Sequence, residues 1–187
     1  MNGKLLIISG PSGSGKTTLA KHLLSIFKDN LILEPTYTTR HIRSHEIDGV
    51  DYNFVSVDRF KELSLNNFFL EEIEYGENYY GTSKNCINML SGGKNIIFVI
   101  NRAGVIAWKS KYKNIVSFWI DSEDVDLKKR LLLRGDCSDI QIENRMKECF
   151  LDREMEHSQS VFDYCIINKD LLSMYASVER IISPIIY

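Results

Sequence analysis

The stretch Gly10-Pro11-Ser12-Gly13-Ser14-Gly15-Lys16-Thr17 decides the fold. It follows a short apolar run, Leu5 to Ser9, and precedes a segment, Lys16 to Phe27, where Leu19, Ala20, Leu23, Leu24 and Phe27 recur at helical spacing. The octapeptide matches GxxxxGK[ST] in the strand–loop–helix context that pattern requires. Its chemistry explains its residues: glycines let backbone N–H groups converge on phosphate oxygens, and the following helix offers its positive dipole end. Lys16 supplies a point charge for the β- and γ-phosphates, and the Thr17 hydroxyl is the candidate ligand of a Mg²⁺ ion. Pro11, Ser12, Gly13, Ser14, Gly15, Lys16, Thr17 and Thr18 are therefore the candidate cradle of a nucleoside triphosphate.

Outward from the loop, buried-strand signals fall at Ile96–Ile100, Ile115–Ile120 and Tyr164–Ile167. Helical patterns separate them at Val105–Lys111, Val125–Leu133, Ile140–Met155 and Leu171–Ile182. This alternation predicts an α/β fold of the P-loop NTPase type, a parallel sheet flanked by helices. The interval 34–91 breaks the alternation with shorter signals, a helix over Asp58–Leu65 and another over Ser83–Leu90. We read it as an insertion into a core made of 1–33 and 92–187, all within one domain of 187 residues.

Composition narrows the function classes. Apolar residues at 44% and charged residues at 26% match globular usage, which excludes disordered and fibrous classes. A net charge of −2 gives no electrostatic footprint for nucleic acid or a membrane surface. The longest apolar run has five residues, too short for a membrane span, and the first residues lack a signal-peptide pattern. Cys86, Cys137, Cys149 and Cys165 show no paired spacing, as expected for reduced thiols in a cytoplasm. Cys149, Cys165, Trp108 and Trp119 read as core, and the charged runs Lys109–Lys113 and Glu154–Glu156 as solvated helix faces.

No NKxD-like run follows, as a GTPase would need, so the pattern favours a small kinase with a second anionic pocket. The insertion offers one. Arg40 and Arg43 could reach one phosphate together, with phenolic help from Tyr52 and Tyr80. Glu71 could accept two N–H bonds from a donor edge such as that of guanine.

Together the strings GPSGSGKTTL, TTR-x-x-R-x-x-E-x-x-G-x-DY-x-F, YYGT, DLKKRLLLRG with the later Arg145, and FDYCIINKDL closely resemble guanylate kinase over nearly the whole chain. The resemblance implies transfer of a phosphoryl group from ATP to GMP, with Mg²⁺, and no covalent intermediate. It implies that 34–91 binds GMP and that about 135–150 is a lid. By match, Arg40, Arg43, Tyr52 and Tyr80 would hold the GMP phosphate, and Glu71, Thr82 and Thr36 would read the guanine. Lys16, Arg43, Arg134 and Arg145 would neutralise the transferring phosphates, and Asn168 would lie beside the adenine. A monomer or homodimer in the cytoplasm is expected, with ATP and GMP as small-molecule partners and neither nucleic acid nor membrane.

One strand departs from the pattern. The family strand usually ends in an acidic D-x-D, whereas this chain has Val99 and Asn101 at those positions. Asn101 can hydrogen-bond a nucleotide but cannot offset Mg²⁺ charge. The departure keeps two alternatives open: a related P-loop kinase acting on another acceptor such as ribose 1,5-bisphosphate, or a weakly active or non-catalytic guanylate-kinase-like module.

Overall fold

A computed structural model describes residues 2–44, 46–75, 77–135 and 138–186, with Arg134 described by its backbone alone. At its centre is β1 (Leu5–Ser9), hydrogen-bonded in parallel to β7 (Asn95–Val99) on one side and β8 (Ile115–Asp121) on the other. β2 (Leu31–Leu33) and β9 (Tyr164–Ile167) complete a five-stranded parallel sheet of order β2-β7-β1-β8-β9.

The two faces of β1 explain why its run is apolar throughout. Leu6 and Ile8 point toward α1 (Lys16–Ile26) and α7 (Leu171–Ile186), where they meet Leu19, Leu23, Met174 and Val178. Leu5 and Ile7 point the opposite way, toward α3 (Asn85–Ser91) and α4 (Arg102–Lys111), packing with Leu90, Val105 and Trp108. A strand covered on both faces has no polar side, and each fully buried aliphatic side chain contributes roughly 1.5–3 kcal/mol. The remaining core helices are α5 (Asp124–Arg134) and α6 (Asp139–Ser158). α6 starts with a reciprocal capping box between Ser138 and Gln141.

Within 34–91 the chain forms a four-stranded sheet of order β4-β3-β6-β5. Its strands are β3 (Tyr37–Thr38), β4 (Asn53–Phe54), β5 (Phe69–Tyr75) and β6 (Asn78–Ser83), backed by α2 (Val57–Leu65). Phe60, Leu63 and Phe69 make its small core, with the Phe60 and Phe69 rings stacked 4.5 Å apart.

Several expectations change here. β2 had no separate signal because three residues are too few to show a period. The β5–β6 hairpin was hidden because Glu71, Glu72 and Glu74 interrupt its apolar alternation. Cys165, expected in the core, is exposed because β9 is an edge strand. Glu156, expected in solvent, is buried: it pairs with Arg102 at 3.4 Å and accepts the Val161 and Phe162 N–H groups at 2.9 and 3.2 Å. Trp108 and Trp119 are buried as expected, whereas Cys137 lies outside the described residues.

Candidate active site

The loop joining β1 to α1 opens at the C-terminal edge of the parallel sheet, where ligands bind in open α/β folds. Two of its glycines are required by contact as well as by conformation. Gly10 has φ 137°, and a Cβ there would lie 2.0 Å from the Ile120 carbonyl oxygen. Gly15 has φ 99°, and a Cβ there would meet the Asn168 amide nitrogen at 2.6 Å. Lys16 Nζ donates to the Pro11 carbonyl at 2.6 Å, so the ammonium folds back over the loop.

This loop forms one wall of a cavity of about 730 Å³. Ser12, Gly13, Gly15, Lys16, Thr17 and Thr18 line it there, and Arg145 enters from α6 with Nη1 3.2 Å from Ser12 Oγ. The opposite wall comes from the four-stranded sheet, the segment before it and the β3–β4 connection, bringing Thr36, Arg40, Arg43, Tyr52, Glu71 and Tyr80 into the same cavity. The side chain of Arg134 lies outside the described residues.

Glu46 organises the basic group. Its carboxylate accepts both Arg40 Nη2 contacts at 2.8 and 3.0 Å and the Arg43 backbone N–H at 2.9 Å, with Arg43 Nη1 at 3.6 Å. Burial pushes this carboxyl up, but the arginine hydrogen bonds outweigh it and hold the group below the usual carboxylate range. The Arg40 guanidinium also sits 5.4 Å from the Tyr52 ring centre. Burial and the neighbouring Tyr80 push the Tyr52 phenol up to about 12, so it keeps its proton and can donate.

Deeper in the cavity wall, Glu71 is 9% exposed and accepts the Thr82 hydroxyl at 2.6 Å. Burial raises its carboxyl above the ordinary value, partly opposed by that hydrogen bond and by Lys111. Thr82 is fully buried, hydrogen-bonded to Glu71, and does not line the cavity.

Three more expected residues lie off the cavity wall, and a fourth is partly used elsewhere. Asn168 is 1% exposed beneath the loop, and its amide donates to the Ser14 carbonyl at 2.7 Å; it buttresses the loop from behind and does not line the cavity. Pro11 and Ser14 are also buried and off the cavity wall. Asn101 lines the cavity, but its Oδ1 caps α4 by accepting the Gly104 N–H at 2.9 Å, leaving its NH₂ for a ligand.

Sequence reasoning missed two groups. Arg130 donates to Gly13 O at 3.3 Å and Ser122 Oγ at 2.9 Å, bracing the loop from α5. Glu148 and Asp152 line the cavity from α6, where burial and Glu148 raise the Asp152 carboxyl. Their signal was the helical spacing of Gln141, Arg145, Glu148 and Asp152, which puts four polar residues on one face.

A loop shaped for phosphates, facing a basic group and a buried carboxylate across one cavity, is matched by known proteins over the same span. The sequence model described as guanylate kinase covers residues 2–184. The chain belongs to the guanylate kinase family. A guanylate kinase of Campylobacter jejuni (strain RM1221) is 40% identical over 185 residues, covering 97% of this chain and 89% of that protein. One from Helicobacter pylori (strain 26695) is 44% identical over 170 residues, with 89% and 80% covered. The crystal structure of guanylate kinase from Anaplasma phagocytophilum superposes with a TM-score of 0.77 at 26% identity, covering 99% and 87% of the two chains. Membership of the guanylate kinase family makes the chain a nucleotide-binding transferase, an enzyme of phosphoryl transfer. Among the described residues no helix is long and apolar enough to cross a membrane.

Proposed function

We propose that this enzyme transfers the γ-phosphoryl group of ATP to the phosphate of GMP, giving ADP and GDP. The observation that carries this reading is one cavity with the glycine-rich loop on one wall and, on the other, Arg40, Arg43 and the buried carboxylate of Glu71. The ATP phosphates lie on the loop backbone and Lys16. The GMP phosphate is held by Arg40, Arg43, Tyr52 and Tyr80, and Glu71 accepts the guanine N1–H and N2–H groups. Thr36 adds a hydroxyl to the base pocket. Arg43, Arg145 and, by family resemblance, Arg134 offset the charge that spreads over the transferring group.

Thr17 fits a Mg²⁺ ion as its single protein ligand, with ATP oxygens and water completing the shell. When bound, the ion neutralises phosphate charge. Among the described residues no group of three or more His, Cys, Asp or Glu is placed to hold a metal ion. In this reading 34–91 is the acceptor-binding insertion and about 135–150 the lid, whose closure over both substrates excludes water and suppresses ATP hydrolysis. Val99 and Asn101, in place of carboxylates, are accommodated because Thr17 and the phosphates carry the metal.

The test is an ADP-release assay with ATP and Mg²⁺ against GMP, dGMP, AMP, CMP, UMP and ribose 1,5-bisphosphate. Turnover with the guanine nucleotides, well above all other acceptors, is expected. Turnover with ribose 1,5-bisphosphate alone, or silence with every acceptor despite ATP binding, would overturn the proposal.

A further inference from the structure

Glu34 directly follows β2 and lines the same cavity as Glu71, although no sequence pattern marked it. It shares an i, i+2 relation with Thr36, which is 7% exposed in that cavity wall. The Cys86 thiol is fully buried. Burial, with Glu34 and more weakly Glu71 adding to it, pushes this thiol up to about 12. Both carboxylates line the one cavity.

Their partners differ. Glu71 accepts the Thr82 hydroxyl and has Lys111 nearby. Glu34 makes no hydrogen bond or ion pair to any other described residue, and burial raises its carboxyl above the ordinary value. An unpartnered carboxylate in a partly desolvated wall is costly, and a ligand offering N–H donors would relieve that cost.

We infer that Glu34 is a second reader of the acceptor base, accepting the N2 hydrogen of guanine that Glu71 leaves unpaired. The guanine edge presents N1–H and the two hydrogens of N2. A carboxylate facing that edge takes N1–H and one N2 hydrogen as a parallel pair. The other N2 hydrogen points away from that pair and needs an acceptor on the adjacent wall. Hypoxanthine has no 2-amino group, so it would leave Glu34 desolvated and unpaired. Xanthine would present a carbonyl oxygen to it. A site that hydrogen-bonds a group discriminates strongly against the analogue lacking that group. Glu34 thereby sets selectivity for the 2-amino purine, an inference that rests on GMP being the acceptor.

The experiment compares the full-length wild type with Glu34→Gln and Glu34→Ala, using GMP and IMP as acceptors. kcat/KM is measured for both, and calorimetric Kd for each nucleotide is measured without ATP. The expected result is at least a tenfold loss with GMP and less than a threefold change with IMP in Glu34→Ala. Glu34→Gln, which keeps one carbonyl acceptor and the side-chain shape, should fall between. Unchanged KM for ATP and unchanged Tm in Glu34→Gln separate base reading from damage to the fold. Equal losses for GMP and IMP, or no loss for GMP, in an active enzyme would overturn the role of Glu34 alone. A wild type that neither binds nor phosphorylates GMP would overturn the acceptor assignment and this inference with it.

Discussion

Replacing Glu46 by Gln removes one charge with almost no change of shape. Glu46 Oε1 and Oε2 accept Arg40 at 2.8 and 3.0 Å, and Oε2 accepts the Arg43 N–H at 2.9 Å. Its side chain is 8% exposed, against 14% for Arg40 and 21% for Arg43. Removing one partner of a fully buried pair costs about 3–5 kcal/mol. The residual exposure of both arginines lets water recover part of this, which leaves about 2–3 kcal/mol. Because Gln also turns an NH₂ toward one guanidinium, no rearrangement restores the lost acceptor. For a chain of this size the Tm should fall by about 5–10 °C.

The functional effect has its own magnitude. Without a shared anchor, two arginine side chains must be ordered when the acceptor phosphate binds, at roughly 0.5–1.5 kcal/mol each. Relief of repulsion between Glu46 and the phosphate is small, because two guanidinium groups already offset the Glu46 charge. Calorimetric Kd for GMP should therefore weaken about tenfold, with Kd for ATP unchanged. Differential scanning calorimetry and titration with each nucleotide measure both quantities. A Tm within 1 °C of wild type would show that the pair is not formed in solution. A clear loss of Tm with unchanged or tighter GMP binding would show that these arginines do not hold the acceptor.

Asn168→Ala leaves the Ser14 carbonyl without its buried donor, which costs about 1–3 kcal/mol and loosens the loop. Lower Tm with raised KM for ATP and unchanged Kd for GMP is expected, and unchanged KM for ATP would contradict the buttress role. Val99→Asp places a carboxylate at the end of β7 in the cavity wall, so the Mg²⁺ concentration for half-maximal activity should drop. An unchanged Mg²⁺ requirement would show that this strand end has no bearing on the ion. The raised carboxyl of Glu71 gives an acid limb: GMP binding needs its charged form, which is lost as pH falls through a value above that of an ordinary glutamate. KM for GMP should rise on that side, and the rise should shrink in Glu71→Gln, where Glu34 and the GMP phosphate still titrate. An identical acid limb in both proteins would remove Glu71 from base reading.

Much of the molecule was legible locally. Backbone N–H groups converge on phosphate only with particular residues at particular spacing, so residues 10–17 announced the loop. β1 and β8 announced themselves as strands covered on both faces. Arg40 and Arg43 stood out as two guanidinium groups three residues apart, and both line the cavity. The β5–β6 hairpin was not, because the buried Glu71 that serves the pocket also breaks the apolar alternation that marks a strand.

Sequence alone determined the P-loop, the alternating core and the family, since each rests on residue type and spacing along the chain. Tertiary structure decided which side chains meet. It turned Asn168 beneath the loop, spent Asn101 on a helix cap, buried Glu156 against Arg102, and brought Glu34, Glu148 and Asp152 into the cavity. Those outcomes depend on desolvation and on partners far apart in the chain, such as Ser14 and Asn168, which no local pattern encodes.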